Sequence, residues 1–96
     1  MLATTRAIRI GRQLRQATGS IPVSIMEGWA KRNSQIEFKR DLQISIGSCE
    51  ECKFWLEMSR DQGYLKPKDC EDFADRFDVV GAMLRSLWKN GKTFAK

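Results

Sequence analysis

Apolar residues recur at helical spacing along most of the chain. Ile10, Leu14, Ala17, Ile21 and Ile25 follow one another at intervals of four, three, four and four. That rhythm marks one buried stripe on a helix. Thr4 or Thr5 is the expected N-cap. Gly19 and Pro22 interrupt the segment. Proline lacks an N–H and crowds the carbonyl four residues back. The stripe nevertheless keeps its phase across Pro22. The pattern therefore predicts one helix, kinked between Gly19 and Pro22 and ending near Asn33. Two helices joined by a turn at Gly19 are the alternative.

Residues 34–37 read SQIE, a capping box with Ser34 as N-cap and Glu37 three residues on. They open a long helix predicted over residues 35–62. It carries two apolar stripes. Phe38, Leu42, Ser45, Ile46, Cys49, Cys52 and Leu56 form one. Ile36, Ile44, Gly47, Phe54, Trp55 and Met58 form the other. Two stripes predict neighbours on two sides, the second of them another subunit if the monomer offers no partner. Gly63 is the expected C′ residue. Pro67 then suits the first position of a third helix. In that helix Phe73, Phe77, Val80, Leu84 and Leu87 make a heptad-like seam, ended by Asn90 and Gly91, with a frayed tail beyond. No segment has strand periodicity. The expectation is one all-α domain over residues 1–96, an up-and-down helical bundle with three long helices visible.

Charge changes the picture more than composition does. The chain has 96 residues, 42% hydrophobic and 30% charged, which is ordinary for one globular domain. The net charge of +5 is unevenly spread. Residues 1–40 hold eight Lys/Arg against Glu27 and Glu37, whereas residues 41–88 hold six against ten acidic groups. A basic front on an acidic body points to an anionic partner or to charge pairing between subunits. Arginines interrupt any apolar stretch at the N-terminus, so no signal peptide is expected and a cytoplasmic location is the default. No apolar run reaches the ~20 residues of a membrane span, so no membrane partner is expected.

Candidate chemistry is sparse. There is no histidine, which removes the commonest general base and metal ligand together. Cys49 and Cys52 have the spacing of half a zinc site, but both fall on the core stripe and only Cys70 remains beside them. Packing is the favoured reading, with no metal and no cofactor. Glu27 has no paired carboxylate and is expected to meet Lys31, four residues on. Gly28 and Gly47 are expected at close approaches between helices. No nucleophile–base pair is visible, so no catalysis and no small-molecule substrate are expected. The functional signal is basic. Arg6, Arg9, Arg12 and Arg15, with Lys31, Arg32, Lys39 and Arg40, have the makings of a phosphate-tracking surface. A solvated face that pairs with an acidic neighbour is the equal alternative. Trp29 is a stacking residue beside Lys31 and Arg32, or an apolar anchor. The second stripe of the long helix (Ile36, Ile44, Phe54, Trp55 and Met58) is the expected oligomer interface.

An ordered set of short motifs carries a family resemblance. In sequence it comprises Arg12 and Arg15, then Ser20, Ile21 and Pro22, then Glu27 and Gly28, then Lys31 and Arg32, Phe38, Gly47 and Ser48, and finally Gly63, Tyr64 and Leu65. This set resembles the four-helix-bundle family first met as reading frames in intervening sequences of bacterial large-subunit ribosomal RNA. The resemblance implies an up-and-down bundle that assembles as a ring, often a homopentamer, with no enzymatic activity. A relative, the accessory variability determinant of diversity-generating retroelements, implies nucleic acid and a reverse transcriptase as partners. Family members carry a full helix before the arginine-rich stretch, and here only Met1 to Thr5 precede it. The family's first helix is thus expected to be short or absent, leaving a groove for another chain.

Overall fold

A computed structural model describes residues 2–90, with side chains from Thr5 onward. Three α-helices follow one another: α1 (Leu2–Ala30), α2 (Gln35–Asp61) and α3 (Pro67–Lys89). No strand occurs among the described residues. The first helix runs uninterrupted with Pro22 inside it, and the chain does not reverse at Gly19. It starts before Thr5, so Thr5 lies within the helix and is not its cap. The side chain of Thr4 and the tail beyond Asn90 lie outside the described residues. The helix ends at Ala30, three residues before the expected Asn33.

The caps follow local rules. The Ser34 hydroxyl accepts the Glu37 N–H at 3.4 Å. Glu37 turns its carboxylate to Arg40 at 3.8 Å, so only half of the capping box forms. At the other end of α2 the Gly63 N–H donates to the Arg60 carbonyl and the Tyr64 N–H to that of Ser59. Gly63 has φ +81°, the left-handed conformation this Schellman motif requires. Pro67 opens α3 at its first turn.

The second helix is the centre of the fold. It packs on α1 along one side and on α3 along the other, while α1 and α3 barely touch. The Cα extents of 54 × 23 × 13 Å describe an elongated, flattened layer. The core joins Ala17 and Ile21 of α1 to Phe38, Leu42, Cys49 and Cys52 of α2 and Leu84 of α3. This is the first α2 stripe. Leu42 and Cys52 are fully buried. Most of the second stripe faces away from both partners. Ile36, Ile44 and Phe54 are 83%, 48% and 51% exposed, and Trp55 and Met58 are half-buried.

Small residues let α1 and α2 come close. A Cβ on Gly28 would sit 3.1 Å from Asp41 Cβ and 3.6 Å from the Phe38 ring. Nearby, Ser45 donates its hydroxyl to the Ile21 carbonyl at 3.1 Å, and Ser48 to the Ser20 hydroxyl at 2.9 Å. The Ser45 bond fastens α1 at the residue before its proline. Gly47 does not repeat this role: a Cβ there meets nothing within 4 Å. It lies on the exposed face of α2, where the chain offers no second helix. The two glycines should therefore respond in opposite ways. Gly28→Ala is expected to lower stability by about 1–2 kcal/mol through overpacking. Gly47→Ala is expected to raise the stability of the isolated chain by up to ~1 kcal/mol. Urea unfolding of the two variants checks both signs.

Candidate nucleic-acid interface

The first half of α1 carries Arg6, Arg9, Arg12 and Arg15, all exposed. Arg6 turns toward the end of α2 and donates to the Gln62 side chain at 2.8 Å. Arg15 folds back along its own helix over Gly11. Arg9 and Arg12 rim a shallow hollow of about 210 Å³ with Thr5 and Ile8. No carboxylate lies within ion-pair distance of Arg9, Arg12 or Arg15 among the described residues. Elsewhere cations are engaged. Lys53 meets Asp78 at 2.6 Å, Arg85 meets Glu50 at 3.2 Å, and Lys68 meets Asp72 at 3.2 Å. The Asp78 hydrogen bond, aided by Glu50, raises the Lys53 pKa.

The other four basic residues occupy the opposite end of the molecule. At 1.5 Å per residue, α1 separates Arg12 from Lys31 by roughly 25–30 Å. Their charges are partly committed. Lys31 pairs with Asp41 at 3.5 Å and not with the expected Glu27, which is exposed. Asp41 is only 3% exposed, and its Oδ2 makes no hydrogen bond, so the Lys31 contact is ionic. A buried carboxylate draws the cation more strongly than an exposed one because less water screens it. Arg32 lies over the Trp29 ring at 4.5 Å and donates to the Trp29 carbonyl at 3.0 Å. Lys39 lies over Trp88 at 4.5 Å. Arg40 pairs with Glu37. The eight basic positions therefore form two groups and not one surface. Trp29 is 51% exposed, which removes its reading as a core anchor.

Sequence reasoning missed Asp41 and Trp88. Asp41 sits beside Leu42 on α2, and its position flanking the stripe was the available signal. Trp88 gathers Lys39 and lines a pocket with Arg85 and Lys89 from α3, an arrangement that no spacing along one helix encodes.

The cysteines are buried and free. Burial raises the thiol pKa of Cys49 and pushes that of Cys52 up to about 11. Neither is a reactive thiolate at neutral pH. No cluster of three or more metal-ligating side chains occurs among the described residues. No described helix is long and apolar enough to cross a membrane.

Fold and site together define a small, basic, helical protein: a three-helix layer with a row of arginines that have no carboxylate partners among the described residues. A family model described as 23S rRNA-intervening sequence protein matches residues 2–86. The chain belongs to that family. No curated protein matches the chain, and no solved structure does.

Proposed function

We propose that the protein binds nucleic acid through its phosphate backbone, without catalysing a reaction, as a homo-oligomer. The observation that carries this reading is the set of exposed arginines without carboxylate partners, Arg9, Arg12 and Arg15, which follow one another at three-residue steps along one helix. Guanidinium groups left unpaired along one helix suit phosphates, which they hold bidentately and release with salt. A family described by an intervening sequence in ribosomal RNA supports a nucleic-acid partner.

Assembly follows from two apolar surfaces on opposite sides of α2. One is the exposed stripe of Ile36, Ile44 and Phe54. The other is the groove between α1 and α3, where Leu14, Leu56, Phe73 and Phe77 line a hollow of about 240 Å³. Ile25, Met83 and Leu87 line its continuation. In our reading the stripe of one copy enters the groove of the next. Such a heterologous contact closes into a ring when the rotation allows, and it places a further helix beside the three. The second reading is a scaffold that docks a partner such as a reverse transcriptase in that groove.

Replacing Arg9, Arg12 and Arg15 with Gln tests the first reading. The affinity for RNA or DNA should fall to a similar degree for all sequences. The slope of log K against log salt should lose roughly 1 per arginine removed. Fluorescence anisotropy across a salt series measures both. Unchanged binding by the triple variant, or no binding by the wild type at low salt, would leave only the scaffold.

A further inference from the structure

The crevice between α2 and α3 holds a second arrangement of cations and apolar surface, separate from the arginine row. Near the C-terminal end of α3, Gln43, Ile46, Arg85, Trp88 and Lys89 line an open pocket of about 300 Å³. Its volume is at the lower end of the range for small-ligand sites. Its walls combine two features. Ile46 and the Trp88 ring are apolar and offer a flat contact. Arg85 and Lys89 are cationic, and Lys39 lies over the Trp88 ring at 4.5 Å. The acid that meets a lining residue is Glu50, and it is paired on both oxygens, with Arg85 at 3.2 Å and Lys53 at 3.8 Å. Neither Lys39 nor Lys89 has a carboxylate within ion-pair distance among the described residues.

A pocket with an aromatic wall, an aliphatic wall and a surplus of positive charge fits a flat ring that carries an anion. We propose that it binds one unpaired nucleotide of a single strand, with the base against Ile46 and Trp88 and the phosphate on Lys89 and on the part of the Arg85 guanidinium that its Nη2 contact with Glu50 leaves free. The proposal rests on the nucleic-acid reading above and extends it from backbone contact to recognition of strandedness. A base stacks on an aromatic ring whatever its sequence, and each such stack contributes about 1–3 kcal/mol. A base inside a duplex is already stacked on both faces and must first be flipped out, which costs a few kcal/mol. Lys39 fits the same role. Its four-carbon stem lets the ammonium leave the ring for a phosphate when a base arrives.

The test uses the full chain with Trp29→Phe and Trp55→Phe, so that Trp88 is the one fluorophore of its kind. Its emission is titrated with AMP, adenosine, inorganic phosphate, a short oligoadenylate and a blunt RNA duplex. Saturable quenching is expected from the oligoadenylate and AMP, weaker quenching from adenosine, and none from phosphate or duplex. In the same background, Arg85→Gln with Lys89→Gln leaves the core untouched and should weaken the AMP response. In the otherwise native chain, Trp88→Leu should lower oligoadenylate affinity by about 5- to 150-fold and leave duplex affinity unchanged. Anisotropy of the labelled RNAs is read in parallel. RNA that binds by anisotropy without altering Trp88 emission overturns the pocket and leaves the arginine row standing. A pocket that takes a protein segment instead gives that same result. Anisotropy that reports no RNA binding sinks the arginine reading, and the AMP titration then decides the pocket by itself.

Discussion

Replacing Phe38 with alanine is expected to lower the unfolding free energy by about 3–5 kcal/mol, while the same change at Phe54 costs less than ~1 kcal/mol. Both residues are phenylalanines on α2, and their surroundings differ. Phe38 is 2% exposed and belongs to the core that joins all three helices. It sits at a close approach of α1 to α2, its ring 3.6 Å from the position a Gly28 Cβ would take. Truncation there leaves a cavity in the contact between α1 and α2. Phe54 is half in solvent and meets Trp55 edge-on at 4.9 Å. Little is lost from the monomer when it goes. For a domain of this size each kcal/mol moves the melting temperature by about 4–8 °C. Phe38→Ala should thus melt more than 10 °C lower, and circular dichroism reads the difference directly. Equal effects at the two positions would mean that both stripes of α2 are core.

Much of this arrangement is legible along the chain because it is periodic. The stripe through Leu14, Ala17, Ile21 and Ile25 holds its phase across Pro22, and the helix does run through. Gly63 stands where a left-handed residue is needed, and it adopts that conformation. What the chain does not reveal is which neighbour each residue meets. Gly28 and Gly47 send the same signal, a glycine in mid-helix. Only the packing of α1 against Asp41 separates the close approach from the open face. Lys31 has Glu27 four residues back, yet it reaches across to Asp41, because burial of that carboxylate outweighs the local pairing. The eight basic positions look like one set in sequence and are divided between two ends by the length of α1. The Trp88 pocket is lined by residues of both α2 and α3, so no local spacing announces it.

Substituting Ile44 and Phe54 with Asp is expected to convert the proposed assembly to monomers while leaving helicity unchanged. These positions are chosen because they are exposed; Trp55 and Met58 are half-buried, and a charge there would damage the fold as well. Phe73→Asp with Met83→Asp, on the rim of the groove between α1 and α3, is expected to have the same result, since these side chains are 43% and 66% exposed. Apolar area returned to water costs roughly 25 cal/mol per Å², and a charge in the contact adds its own desolvation. The two variants differ in what they retain. Each stripe variant keeps an intact groove, and each groove variant keeps an intact stripe. Mixed in equal amounts, they should form a complex of two chains and nothing larger, because one good contact survives and both outer surfaces are blocked. An assembly in which stripe packs on stripe about a two-fold axis would not recover on mixing. Light scattering separates these outcomes, and a wild-type chain that stays monomeric at micromolar concentration would overturn assembly altogether. Gly47→Ala adds a further reading. Its Cβ meets nothing within the chain, so any loss of assembly in that variant reports a close approach by a neighbouring copy.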